Sequence, residues 1–165
     1  MTSIRQLQPK PEELNDIRRV GHAAWEATYR SILSDAQFDY MFGRMYSLTA
    51  LAQQMESCDF YGYFAQNELL GFVSVEWPEG NTGFVKVHKL YVHPEAQGQG
   101  VGRALLTQVM HQCALHQVHE IRLNVNRFNP AQHFYSKLGF AILYEEDIDI
   151  GSGYLMEDYV MGMHC

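Results

Sequence analysis

The sequence predicts one α/β (α+β) domain over residues 1–165, a mixed and mostly antiparallel sheet of about seven strands flanked by helices. Three observations predict it. The apolar spacing alternates between periods near two and near 3.6, in the order strand, helices, three strands, helix, strand, helix, two strands. No linker, repeat or low-complexity tract divides the chain. Nearly half of the 165 residues (47%) are apolar, enough for a sizeable core and too many for a disordered chain.

Each element has its own signal. Ile4 and Leu7 mark a short first strand, closed by Pro9 and Pro11. A helix follows from about Glu12, with Leu14, Ile17, Val20, Ala24 and Trp25 on one stripe. Ser34-Asp35 reads as a helix start ahead of Phe38, Met41 and Phe42, and a further helical piece covers Leu48 to Met55. Phe60–Ala65 and Leu69–Trp77 read as strands joined by a hairpin turn at Asn67-Glu68. Pro78-Glu79-Gly80-Asn81 turns the chain again, into a strongly apolar strand over Phe84–Val92. Val101, Leu105, Val109 and Cys113 then fall at i, i+4 spacing, widened by Leu106 and Met110. Ile121, Leu123 and Val125 alternate as in a half-buried strand. Asn129-Pro130 opens another helix, which Gly139 ends. Two strands finish the chain, about Phe140–Tyr144 and Tyr154–Met161, joined by an acidic, glycine-containing segment.

Bulk properties exclude several functions. A formal charge of −7 gives no basic face for nucleic acid phosphates. The three cysteines, Cys58, Cys113 and Cys165, are odd in number and lack metal-ligand spacing, which fits reduced thiols and no metal. His111, His116 and His119 lack the spacing of a zinc motif and read as a solvated helix end. The first residues lack the apolar stretch of a signal peptide, and no run is long enough for a bilayer. The expectation is a cytoplasmic protein without nucleic acid or membrane partners; a homodimer is compatible with the sequence but unmarked in it.

Chemistry concentrates in Gln97-Gly98-Gln99-Gly100-Val101-Gly102, which follows a strand and opens a helix. Glycines let a backbone approach a ligand, and a helix N-terminus offers free N–H groups to phosphate. The spacing is G-x-G-x-G, not the dinucleotide G-x-G-x-x-G, and the G-K-[ST] of a P-loop is absent. Val92-x-Pro94 followed by Gln97-x-x-Gly100-x-Gly102 resembles the acetyl-CoA signature of the GNAT superfamily of N-acetyltransferases. The resemblance implies that main-chain groups of Gln97 to Gly102 hold the CoA pyrophosphate, that Leu90, Tyr91 and Val92 face pantetheine and the acetyl carbonyl, and that Arg103 adds positive charge near the phosphates.

Downstream, Phe134-Tyr135-x-Lys137-Leu138-Gly139-Phe140 is similar to a second block of that superfamily. Its front departs, with Asn129 two residues before Ala131 where three is usual; Asn126 and Asn129 both remain candidates for the pantetheine contact, with Asn129 preferred. The block implies Tyr135 as general acid, and a phenol of pKa ~10 can donate a hydrogen bond or proton to a leaving thiolate whose acid has pKa ~8.5. Lys137 resembles a lysine of that superfamily that can approach the CoA phosphates; an exposed surface lysine explains it nearly as well.

The nucleophile must be a neutral amine, and protonated alkylamines have pKa values near ~10.4, so a base or water relay must take a proton. Glu76, at the end of the third strand, and His88, on the fourth, are the candidates. Strict alternation puts Lys86, His88, Leu90 and Val92 on one face and Val85, Val87, Lys89 and Tyr91 on the other. Trp25 and Tyr29 lie in the helical region that shapes the acceptor pocket in the superfamily. The run Glu145, Glu146, Asp147 and Asp149 reads as a solvated loop or edge, or as an attractor for a cationic amine. The resulting expectation is an acetyl-CoA-dependent N-acetyltransferase acting on a small-molecule or peptide amine. The rival is a non-catalytic acyl-CoA-binding sensor or interaction module.

Overall fold

The first strand, β1 (Thr2–Gln6), stops short of Pro9, and α1 (Pro11–Tyr29) takes Pro11 into its first turn, where a missing N–H leaves no bond unmade. The structure, a computed structural model, describes residues 1–80 and 83–165; Asn81 of the expected turn at Pro78–Asn81 lies outside the described residues. Ser34 caps α2 (Asp35–Tyr46), its hydroxyl accepting the Gln37 N–H at 3.1 Å. Ser47 caps α3 (Leu48–Gln54) in the same way, accepting from Ala50 at 3.1 Å. Strands β2 (Asp59–Ala65) and β3 (Glu68–Glu76) join through Gln66 and Asn67, both left-handed at φ 51° and 66°. The two-residue turn therefore sits one residue earlier than Asn67-Glu68, because paired positive φ values match the twist of a tight hairpin.

Strand β4 (Val85–Val92) leads through a short turn at Pro94–Ala96 to α4 (Val101–His116). Strand β5 (Glu120–Asn126), α5 (Ala131–Leu138), β6 (Ala141–Gly151) and β7 (Tyr154–His164) complete the chain. The acidic run is not a connecting loop. It is the second half of β6, where Glu146 pairs with Asp158 and Ile148 with Met156. Ile148 and Ile150 point inward between the acids, the period-two pattern of a strand with one wet face. As β6 is an edge strand, its exposed charges also discourage pairing with other chains.

Among the described residues the sheet has seven strands in the order β1-β2-β3-β4-β5-β7-β6. Every neighbouring pair is antiparallel except β4–β5, which α4 connects. That parallel pair is short. It joins only Val85–Val87 to Ile121–Leu123, although β4 continues to Val92 and β5 to Asn126. The sheet therefore splits between them.

β4 also carries a bulge. Ser74 and Val75 of β3 face Lys89 and Val87, so His88 is an extra residue. The strict alternation expected for this strand fails for that reason. Val85 and Val87 belong to the core under α4 and α5, and Leu90 and Val92 pack on the same core. Tyr91 packs on the opposite core, formed with α1, α2 and α3, and the Lys89 ammonium lies 5.3 Å from the Tyr46 ring of that core. Each core is anchored by fully buried side chains, Leu105 and Val109 on one side, Ile17 and Val20 on the other. Each of these contributes roughly 1.5–3 kcal/mol by leaving water. No helix among the described residues is long and apolar enough to cross a membrane.

Candidate active site

The glycine loop has the backbone its residues permit. Gly98 and Gly100 are left-handed, at φ 78° and 82°, and Gly100 is the N-cap of α4. The unpaired N–H groups of the first turn of α4 thus face the loop. A Cβ on Gly102 would come 3.3 Å from Phe134, so α4 and α5 approach closely there. Gln97, Gly98, Gly100, Val101, Gly102 and Arg103 line a cavity of about 560 Å³ that runs from this loop into the β4–β5 split. Gln99 does not line it; its side chain donates instead to the Glu95 carbonyl at 3.2 Å. Lys137 is exposed on α5 and lines no part of the cavity.

The split leaves main-chain groups without a strand partner. The His93 N–H donates to the Leu70 carbonyl at 2.8 Å, so His93 and, two residues back, Tyr91 turn their polar groups toward β3. Alternation then directs those of Leu90 and Val92 toward β5, beyond the end of its pairing with β4. Tyr135 lines the cavity from α5, almost wholly buried, with no hydrogen-bond partner for its hydroxyl among the described residues. Burial, and next the neighbouring Tyr29, push its pKa well above the usual phenol value, so it remains protonated. Asn129 also lines this cavity. Its carbonyl oxygen accepts from the Ala131 N–H at 2.9 Å, and its amide donates to the Tyr29 hydroxyl at 3.3 Å. Asn126 lies elsewhere, on the second cavity described next.

That second cavity, about 450 Å³, opens on the other face of the sheet. The two cavities share Tyr29, Val87, His88, Lys89, Tyr91 and Asn124, so they meet at the split. Trp25, Met41, Met45 and Tyr46 form apolar walls of the second cavity. On its sheet side is a cluster that sequence reasoning missed. Asn124 donates to Glu146 and to Asp158, each at 3.1 Å, and accepts from the Lys86 ammonium. Asp158 is 2% exposed, and burial raises its pKa against the opposing effects of Asn124 and Lys86. An aspartate at an inward strand position, on the same strand face as Met156 and Val160, was the available signal. Lys89 reaches the same cavity, and burial lowers its pKa to about 8.

The two candidate bases are hydrogen-bonded to each other, His88 Nε2 to Glu76 Oε2 at 2.7 Å. His88 lines both cavities and Glu76 lines neither. With Cys58 they form a set whose donor atoms lie within 4.8 Å of one another. No sequence spacing could reveal this set, because its members come from separate segments. His116 is not merely a solvated helix end; its ring stacks on Trp77 at 3.8 Å. The acidic run is not free charge either, since Arg127 pairs with Glu145 and Asp147.

A phosphate-suited loop, a cleft with free main-chain groups and a buried phenol fit a group-transfer enzyme with a phosphate-tailed donor. The sequence profile of the acetyltransferase (GNAT) domain family matches residues 28–154, and the chain belongs to that family. A mycothiol acetyltransferase of Tsukamurella paurometabola is 37% identical over 78 residues, 47% of this chain; the match spans only about a quarter (27%) of that protein. The PaiA N-acetyltransferase of Thermoplasma acidophilum, solved in complex with coenzyme A, is 26% identical with a TM-score of 0.83, over 100% of this chain and 99% of that one. The ribosomal-protein-S18-alanine N-acetyltransferase of Escherichia coli shares the fold, with a TM-score of 0.72 at 18% identity over 99% of this chain and 94% of that one.

Proposed function

We propose that the protein transfers the acetyl group of acetyl-CoA to a primary amine by direct attack, without a covalent enzyme intermediate. The observation that carries this is the split beside β4: free main-chain groups lie between a phosphate-suited loop and a buried phenol. The relative solved with coenzyme A supports the same donor. The relatives' named acceptors differ from one another and select none for this chain.

In this reading the main chain of Gln97 to Gly102 and the Arg103 side chain hold the pyrophosphate. Leu90, Tyr91 and Asn129 flank pantetheine, and the Val92 N–H polarises the acetyl carbonyl. His88, oriented by Glu76, takes a proton from the acceptor ammonium. The amine lone pair forms the N–C bond, the C–S bond breaks, and the remaining ammonium proton leaves to solvent. Tyr135 donates its proton to the departing thiolate. Trp25 and Tyr29 border the acceptor.

A thiol-release assay with a panel of amines tests the reading. Turnover that falls about 10²- to 10⁴-fold in His88→Gln, with coenzyme A binding retained, is the expected result. Coenzyme A binding without turnover on any amine would instead indicate a non-catalytic acyl-CoA-binding module.

A further inference from the structure

The second cavity carries more information than its position. Resting on the transferase reading above, we infer that the acceptor is an amine that also bears a carboxylate, such as an apolar amino acid, with Lys89 binding the carboxylate and the Glu146–Asp158 pair receiving the ammonium. Three observations carry this. Lys89, half-buried, makes no hydrogen bond or ion pair among the described residues, although it reaches into an aromatic cavity and lies over the Tyr46 ring. A cation partly withdrawn from water without a counter-ion is costly, and a bound carboxylate supplies that counter-ion. Its depressed pKa of about 8 is the expected mark of such a site.

The opposite pole is anionic. Glu146 and Asp158 bring two carboxylates to one asparagine, and Lys86 is the one cation hydrogen-bonded to that asparagine among the described residues, while Arg127 acts on Asp158 but pairs with Glu145 and Asp147. The cavity thus offers a cation without an ion-pair partner and a carboxylate pair that share one asparagine. The other walls are apolar, Trp25, Met41 and Met45 among them. A polyamine would satisfy the negative pole and put a further cation beside Lys89. A carboxylate-bearing amine with an apolar body satisfies all three surfaces.

The test compares leucine, leucinamide, isopentylamine and spermidine in the thiol-release assay, using the full-length protein. The expected result is a kcat/KM for leucine at least tenfold above those of the other three. Lys89→Met lowers it by about 10- to 100-fold through KM, as loss of a charge-assisted contact should, leaving leucinamide within about threefold. Lys89→Arg restores the preference. Equal turnover of acid and amide, a preference for spermidine, or equal losses on acid and amide in Lys89→Met would overturn the inference and leave the transferase reading intact. A readout without turnover separates the two claims. With coenzyme A present, N-acetylleucine should raise the melting temperature of wild type but not of Lys89→Met, and N-acetylleucinamide should raise neither. That pattern without amine turnover supports the carboxylate site and sinks the transferase reading; an N-acetylleucine shift that survives in Lys89→Met sinks the site.

Discussion

Two side chains at the split, Tyr135 buried and Lys89 half-buried, illustrate how withdrawal from water serves opposite ends at the scale of single residues. For Tyr135, burial raises the phenol pKa, so the hydroxyl keeps its proton and, in the proposed reaction, donates a hydrogen bond to the sulfur as negative charge builds there. Tyr135→Phe removes the donor and little volume. It should lower kcat by about 10²- to 10³-fold with KM nearly unchanged, as stopped-time thiol release would record. Full activity in that variant at all pH values would remove Tyr135 from the mechanism. For Lys89, burial costs stability. Its folded pKa of about 8 lies below the unfolded value of ~10.4, so the unfolded chain holds the proton more tightly. The cost is therefore complete below pH 8 and disappears as pH rises to ~10.5. Lys89→Met should be more stable than wild type by up to about 3 kcal/mol at pH 7, and denaturant melts should show this advantage shrinking to near zero across that window. A variant that gains stability while losing its acceptor would mark Lys89 as kept for binding.

At the scale of elements, what was legible from sequence depended on whether a feature is local. Ser34 and Ser47 cap the helices they precede, and Gly98 and Gly100 are left-handed next to the helix they open, because caps and loops are written in adjacent residues. The β4 bulge was not legible, since the extra residue, His88, exists only relative to its pairing with β3. Faces expected from plain alternation were wrong beyond it. The full length of β6 was missed for a related reason: its acids look like a loop until Ile148 and Ile150 are seen facing the core. The loop supplies the element-scale prediction. A Cβ on Gly100 would touch nothing within 4 Å, so Gly100→Ala is penalised by backbone strain alone, roughly 1–2 kcal/mol at its φ of 82°. Its melting temperature should fall by about 2–8 °C. Relaxation of that φ would also turn the first amides of α4 away from the loop. The KM for acetyl-CoA should rise, and an unchanged KM would detach the loop geometry from donor binding.

At the scale of the whole molecule, the cofactor side and the acceptor side differ in how they are encoded. The proposed cofactor side is built mostly from three contiguous stretches, Leu90–Val92, Gln97–Arg103 and Asn129–Tyr135, and so appears as motifs. The second takes Lys89 from β4, Asn124 from β5, Glu146 from β6 and Asp158 from β7, which only the sheet order brings together. Both sides meet where β4 and β5 part after three paired residues, so the two halves of the sheet are joined there by few backbone bonds. A ligand seated in the split touches β4 on one wall and β5 and α5 on the other, replacing contacts that the sheet forgoes. Coenzyme A should therefore stabilise the domain as one cooperative unit. At a concentration 100 times its Kd, linkage gives about 2.7 kcal/mol, which for a domain of this size corresponds to a rise in melting temperature of roughly 5–10 °C. NAD and ATP offer phosphates without a pantetheine arm to follow β4 into the split, so they should shift it by less than about 2 °C at equal concentration. An equal shift with all three would mean that the loop recognises phosphate alone and that the free edge of β4 contributes nothing to donor binding.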